Sequence, residues 1–372
     1  MRVMVTGADG FLGKNLCSYL DRIKEVEIIS FTRRNDLLQL SSLLENVDFV
    51  FHLAGANRPR DQDEFVADNI ELTEALCDVI ADSGRKISII YASSTQAILD
   101  NPYGTSKRNA EDVIWKLHQK NQIIAYIFRL PNIFGKWSRP NYNSVVATFC
   151  HNLARNMPIE INDPATKLTL VYVDDVVDQF IKLLNGDEGL QADEYHSVLP
   201  QYTTTIGELA SCIQAFKAGR LELNVNQVGS GLMRALYATY LSFLPDDEFA
   251  YPVPKYCDAR GSFVEMIKTQ NSGQVSYFTA KPGVTRGGHF HNTKTEKFLV
   301  IKGRAHFRFR HILNGHTIEF DVSSDESKVV DTIPGWAHDI TNIGDDEMFV
   351  MLWANEIFDR DKPDTFPYPM KV

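Results

Sequence analysis

The chain has 372 residues, 44% hydrophobic and 23% charged, with a formal net charge of −10. That is enough for two or three domains with sizeable cores, and the acidic balance excludes general nucleic-acid binding. No run approaches the about 18–20 apolar residues of a membrane helix. The sequence enters a strand-like RVMVTG without a charged leader, apolar run and cleavage site, and Cys17, Cys77, Cys150, Cys212 and Cys257 are scattered and odd in number. Both features predict a reduced, cytoplasmic protein.

In chain order, VMVTGADGFLG places Gly7, Gly10 and Gly13 between a first strand and a first helix, with Phe11 and Leu12 opening that helix. Glycines there let backbone N–H groups approach a pyrophosphate, and the helix N-terminus favours its charge. The next strand, VEIISF, leads to Arg33 and Arg34 rather than to an acidic residue. That suits a 2′-phosphate, hence NADPH. VDFVFHLAG is a third strand, EFVADNIELTEALCDVIADSG a helix, and KISIIYASS a strand ending at Ser94. YGTSKRNAEDVIWKLHQK is a helix on which Tyr103 and Lys107, four apart, share a face. An ammonium beside a phenol lowers its pKa, so Tyr103 can relay a proton near neutral pH, and Ser94 can polarise a carbonyl. IAYIFRL is a further strand. Apolar strands alternating with helices predict an α/β doubly wound parallel sheet.

TGADGFLG, HLAG, YASS, YGTSK, RLPNIFG and VYVDDV stand where the extended short-chain dehydrogenase/reductase family has its landmarks, and the first two-thirds of the chain resembles that family. The resemblance implies hydride transfer from NAD(P)H on a nucleotide-activated sugar, with Ser94, Tyr103 and Lys107 as the catalytic group. It places Leu53, Ala54 and Gly55 beside the nicotinamide, with His52 packed or hydrogen-bonded behind them. It also gives Arg129, Asn132 and the loop carrying Lys136 and Arg139 to the sugar nucleotide. A dehydratase or 4-epimerase recycling a tightly held NAD is a further reading; Arg33 and the absence of an acid pair next to Ser94 weigh against it.

After about Pro245 the texture changes. A proline-bearing stretch leads into the short alternating strands GQVSYFTA, EKFLVIKG, RAHFRFRHIL, HTIEFDV and MFVMLWANE, the pattern of a small antiparallel barrel. The expected division is 1–243 for the dinucleotide-binding domain, 244–254 for a linker and 255–372 for the all-β domain. Within KPGVTRGGHFHNTKTEKFLVIKG, His289 and His291 share a strand face, HNTKT turns, and Glu296 opens the next strand in line with Phe298 and Val300. TIPGWAHDITN adds His338. Three imidazoles and a carboxylate suit zinc, or nickel, iron or manganese with added water.

Gly283, His289, His291, Glu296 and Gly303, then Gly335, His338 and Asn342, resemble the two motifs of the cupin family, a jelly-roll barrel; Pro334 beside Gly335 departs from it. CDARGSFVEMIKT (Asp258, Arg260, Gly261, Phe263, Glu265) and RGGHFH are similar to metal-free sugar 3,5-epimerases, in which the histidine matching His289 is the base. His289 is therefore either a ligand or a proton abstractor, since a metal-bound nitrogen has no lone pair to give.

Both halves act sensibly on one substrate: a 4-keto sugar has an acidic C3 hydrogen, and the same ketone is what the first half reduces. Epimerisation comes first, because reduction removes the carbonyl. DNPYG, FGKW, PNYNSV, DARGSF, EKFLV and FRFRH, with other matches from end to end, resemble a family of bifunctional enzymes of bacterial capsular polysaccharide synthesis. That resemblance implies a UDP-2-acetamido-2,6-dideoxy-4-hexulose substrate and a UDP-2-acetamido-2,6-dideoxy-L-talose product, toward UDP-N-acetyl-L-fucosamine. It also implies NADPH, zinc and a homodimer. The rival reading keeps the reductase and makes the barrel a sugar-binding or dimerisation module.

Overall fold

The structure, a computed structural model, describes residues 1–56, 65–186, 194–292, 294–361 and 363–370. Glu64, the expected first residue of the second helix, and Thr293 of the expected HNTKT turn lie outside them. The chain divides into two compact units: Met1–Ile213 with Arg234–Pro245, and Gln214–Met233 with Asp246–Val372. Among the described residues no helix is long and apolar enough to cross a membrane.

In the first unit, β1 (Arg2–Thr6), β2 (Glu27–Phe31), β3 (Phe49–His52), β4 (Ser88–Ser94), β5 (Ala125–Leu130), β6 (Asn132–Phe134), β7 (Lys167–Tyr172), β8 (Tyr195–His196) and β9 (Gln201–Thr205) form two sheets. The larger runs β2-β1-β3-β4-β5-β8 with every pair parallel, as the alternation of strands and helices predicts. β6, β7 and β9 make a small mixed sheet. β1 is buried from Val3 to Thr6 because helices cover parallel sheets on both faces. Met4, Val50, Ile89 and Tyr91 from the strands pack with Leu76, Ala110 and Ile114 from the helices.

The helix Pro102–Asn121 carries the expected Tyr103 and Lys107. Its start is fixed locally: the Asn101 side chain accepts the Gly104 N–H at 2.7 Å, and Pro102 takes the first turn, where no N–H is needed. Gly104 is obligatory, because a Cβ there would sit 2.2 Å from the Gln96 carbonyl oxygen. The helix Leu72–Asp82 is entered through a wider π-type turn, Val66–Glu71, of the kind often found at functional sites.

In the second unit the strands are β10 (Asn224–Val225), β11 (Lys255–Asp258), β12 (Gly261–Thr269), β13 (Gly273–Ala280), β14 (Thr285–Phe290), β15 (Glu296–Lys302), β16 (Arg304–His311), β17 (Thr317–Ser323), β18 (Val329–Asp331), β19 (Trp336–Asn342), β20 (Met348–Ala354) and β21 (Phe366–Pro367). One sheet runs β10-β12-β13-β20-β15-β18 with β11 also on β12; the other runs β17-β16-β19-β14-β21. Phe278, Phe298 and Val300 of the first pack with Phe307, Phe309 and Ile340 of the second. This is the double-sheet jelly roll expected of a cupin. Asn342 pins one end, its Nδ2 donating to the Ala280 and Asp346 carbonyls at 2.8 Å each.

The division of the chain differs from the expected cut near 243. Gln214–Met233 belongs to the second unit because β10 pairs with the end of β12 (Asn224 with Lys268, Val225 with Thr269), and the Lys268 N–H donates to the Leu223 carbonyl at 2.6 Å. The helix that precedes β10, Ile206–Glu222, bears no compositional mark of this handover.

Candidate functional site

The glycine turn after β1 is shaped as the spacing predicts. Gly7 has φ +67°, and a Cβ there would lie 2.8 Å from Ala54 Cα. A Cβ on Gly13 would lie 2.2 Å from the Gly7 oxygen, so the first helix can approach the turn only as glycine. Gly10 caps the helix Phe11–Leu20 without a side-chain hydrogen bond, and the first turn holds no acidic residue. The leading N–H groups, at Phe11, Leu12 and Gly13, are thereby left to an incoming anion. Gly13→Ala forces backbone apart, an overpacking cost of about 1–3 kcal/mol; the expected result is at least about tenfold weaker binding of the nicotinamide cofactor in a fluorescence titration.

Behind the turn lies a relay that motif spacing did not show. Thr6 Oγ1 accepts the N–H groups of Leu53 and Ala54 at 3.1 and 3.2 Å, so its proton goes to His52 Nδ1 at 2.7 Å. His52 Nε2–H then donates to Thr73 Oγ1 at 2.8 Å, and Thr73 donates to the Asn69 carbonyl at 2.7 Å. Burial, followed by the Lys107 charge, pushes His52 down to about 3, so the ring stays neutral. It is the packed, hydrogen-bonded residue expected, and it fixes Leu53–Gly55. Asn69 continues the chain, bonding both polar groups of the Ala56 backbone and the Ser106 hydroxyl.

Ser94, Tyr103 and Lys107 come together at the end of β4. Ser94 lies close enough to Tyr103 to lower the phenol's pKa, and Ser94 Oγ accepts the Gln96 N–H at 3.1 Å. Lys107, buried, donates from Nζ to Tyr91 Oη at 3.2 Å and to the Ala92 carbonyl at 3.0 Å. A Cβ on Gly55 would come within 3.1 Å of that ammonium, so the HLAG turn lies against it. One expectation is corrected. Burial raises the Tyr103 phenol above its ordinary value, with Ser94 opposing, while two of the three Lys107 donors go to Tyr91 and Ala92. Burial also lowers Lys107 to about 8, Glu111 opposing. A lysine depressed in the fold loses its charge as pH rises through that value. The kcat/KM for the reduced nicotinamide cofactor should therefore decline above about pH 8, which a pH profile reads.

Other residues of this unit are less free than the sequence suggested. Arg129 Nε and Nη2 donate to both oxygens of the fully buried Glu111, at 3.0 and 2.6 Å, while Ser93 donates to the same carboxylate. Arg129 is thereby committed inside the fold rather than to a sugar nucleotide. Asn132 donates to the Thr169 carbonyl at 3.1 Å, and Lys136 is ion-paired with Asp174. Exposed Arg139 lies 4.9 Å from the Tyr142 ring centroid. Exposed Arg33 reaches Asp68 at 2.7 Å and Arg34 is exposed beside it. Glu111 was missed, although its place four residues after Lys107 was a visible signal.

In the second unit one nitrogen or oxygen from each of His289, His291, Glu296 and His338 lies within 4.8 Å of the others. β14 and β19 pair His289 directly opposite His338, and β15 starts at Glu296 with Phe298 and Val300 on the same buried face. His291 Nδ1 faces the Asp364 carbonyl, which can only accept, so Nδ1 carries the proton. Its Nε2 then turns a lone pair toward Glu296 Oε2, 3.1 Å away. Two lone-pair atoms at that separation call for a cation between them. His338 is buried with neither ring nitrogen hydrogen-bonded, although Nε2 is 3.5 Å from the same carboxylate oxygen. These features fit a divalent metal, with Lys294 Nζ 3.1 Å from the outer oxygen Glu296 Oε1. Burial opposes ionisation of Glu296, but His291, His338 and Lys294 hold it far below the carboxylate range. Burial, then His338 and His291, lowers His289 to about 4, so its ring is neutral.

The DARGSF residues are held by partners outside that cluster. Asp258 accepts from Arg260 Nε at 3.0 Å, Gly261 takes φ +149° against Thr279, Phe263 packs on the core, and Glu265 pairs with Lys268 at 3.0 Å.

The profile of the NAD dependent epimerase/dehydratase family matches residues 3–196. The chain belongs to that family. The polysaccharide biosynthesis C-terminal domain profile matches residues 256–366. Across 98% of both chains, the protein is 55% identical to the UDP-2-acetamido-2,6-beta-L-arabino-hexul-4-ose reductase of Pseudomonas aeruginosa. It superposes on the capsular polysaccharide assembling protein CapF of Staphylococcus aureus with a TM-score of 0.93, at 41% identity, covering 100% of each chain. The two-part chain of the CapF type is therefore present from end to end. A UDP-glucuronic acid 4-epimerase of Bacillus cereus, solved with NAD, matches 65% of the chain at 20% identity and a TM-score of 0.56, a likeness of fold.

Proposed function

We propose that the first unit reduces the C4 ketone of a UDP-linked 2-acetamido-2,6-dideoxy-hexulose with NADPH and that the second epimerises the same sugar at C3 beforehand. The talo-configured product then serves surface polysaccharide synthesis. The observation that carries the reading is the 55% identity, over nearly the whole chain, to a hexul-4-ose reductase, and the grouping of Ser94, Tyr103 and Lys107 at the end of β4 supports it.

A nicotinamide bound along the glycine turn supplies the hydride. Ser94 orients the C4 carbonyl, and Tyr103 passes its phenolic proton to the oxygen as that oxygen becomes an alkoxide. Lys107, cationic below about pH 8, keeps a positive charge at the end of β4 and against the HLAG turn where the cofactor is expected. Arg33 and Arg34 favour the 2′-phosphate of NADPH.

In the barrel, His289, His291, Glu296 and His338 would hold a divalent metal, which would supply positive charge next to the sugar ketone. The chain's own part is to remove the C3 hydron, exclude water and return a proton to the opposite face. Neutral His289 offers its lone pair to the metal or to that proton. His289→Gln decides: retained zinc with lost exchange makes it the base, and lost zinc makes it a ligand.

The test of the whole reading uses the 4-keto sugar in deuterated water. Deuterium should enter C3 without NADPH, and NADPH should be consumed once added. A folded protein that oxidises NADPH yet never exchanges C3 leaves a reductase with a binding module, and one that does neither overturns the reading.

A further inference from the structure

The last described segment of the chain is bound to the metal-ligand turn at every level of its backbone. Asp364 places its carbonyl on His291 Nδ1–H. Its carboxylate accepts the Asn292 N–H at 2.9 Å through Oδ1, and the Lys294 N–H at 2.8 Å through Oδ2. One residue thus gathers the ring of a ligand and the two described N–H groups of the turn between His291 and Glu296. Just beyond it, β21 pairs with β14 (His289 with Pro367, Phe290 with Phe366), and the Tyr368 N–H donates to the Gly288 carbonyl at 2.9 Å. Phe290 packs on Phe366 and Tyr368 with ring centroids 5.3 and 6.1 Å apart, and Arg310 donates to the Pro369 carbonyl at 3.2 Å.

The consequence is chemical. An imidazole can coordinate through Nε2 only while Nδ1 keeps the proton, and what keeps it there is the acceptor outside the ring. The acceptor for His291 is backbone, so its position depends on what anchors residue 364, namely the carboxylate gripping the turn. Glu296 starts β15 two residues beyond Lys294, so the same grip sets the spacing between the second histidine and the carboxylate.

We propose that Asp364 is a positioning residue for the metal site, setting the tautomer of His291 and the separation of His291 from Glu296, with β21 holding it in place. The proposal rests on the reading of the His/Glu cluster as a metal site.

The test measures Zn²⁺ affinity of the full-length protein by competition with a chromophoric chelator, and the visible spectrum after loading with Co²⁺. Asp364→Ala should bind Zn²⁺ about 10–100-fold more weakly and give an altered Co²⁺ band, because the ligand geometry changes and not merely the stability. Asp364→Asn, which keeps a neutral oxygen for the turn, should fall between it and the parent and covers the case in which the alanine variant does not fold. Asp361→Ala, close by in sequence, with its N–H donating to Asp359 and no bond from its side chain to the described residues of the turn, should behave as the parent. Parent-like zinc affinity and Co²⁺ spectrum in Asp364→Ala overturn the role of Asp364 alone. An equal loss in Asp361→Ala overturns it as well. A parent protein that takes up neither ion overturns the metal-site reading beneath it, while NADPH oxidation still reports on the first unit.

Discussion

Replacing Tyr103 with phenylalanine should stop NADPH oxidation, by about 10²–10⁴-fold, the usual worth of a positioned proton donor, while leaving deuterium entry at C3 intact. The substitution removes one oxygen. Ser94 keeps the Gln96 N–H, and Lys107 keeps Tyr91 and Ala92, so the surrounding bonds survive. NADPH affinity should change little, since the glycine turn and its relay through His52 do not involve the phenol. Stopped-flow absorbance at the nicotinamide band and proton NMR of the sugar read the two reactions separately. Loss of both from one folded protein would mean that the units do not divide the chemistry as proposed.

The converse experiment belongs to His338. His338→Ala removes a ring that makes no hydrogen bond and that lies among Phe298 and Phe309, with centroid separations of 6.2 Å to each. Zinc content should fall sharply, and C3 exchange by about 10²–10³-fold, as when one group stabilising a developing oxyanion is lost. Reduction of a sugar already inverted at C3 should proceed at the parent rate. His338 is a cleaner choice than Glu296: removing that carboxylate would strand the buried Lys294 ammonium and cost about 3–5 kcal/mol of stability by itself. Chelator treatment of the parent should reproduce the phenotype, and added zinc should restore the parent but not the variant.

Much of this was legible in the amino-acid order because the chemistry is written in short range. Gly7, Gly10 and Gly13, Tyr103 with Lys107, and His289 with His291 and Glu296 each fall within a short span of sequence, where helix or strand period and at most one connecting turn dictate which side chains meet. His338 was reachable because a second motif announced it. What stayed hidden is what depends on long loops closing. Asp364 meets His291 across 73 positions, in a stretch without periodicity. The partner of Lys136 lies 38 residues away, and that of Arg33 lies 35 away; no local rule pairs them. The protonation of Tyr103 was misjudged for a related reason. Helical spacing puts Lys107 on its face, but the direction of the ammonium is set by Tyr91 and Ala92 on a neighbouring strand.

The loan of β10 bears on how this chain could be cut in two. A fragment beginning at Asp246 would lack the strand that covers Lys268 and Thr269, leaving N–H and C=O groups at that end of β12 exposed to any passing chain. Its mate, ending at Pro245, would keep the second half of the helix Ile206–Glu222 and β10 without the barrel strand that β10 pairs with. Separate expression of the halves should thus yield sticky material, whereas grafting residues 214–233 ahead of the barrel, through a new connection, should yield a tractable one.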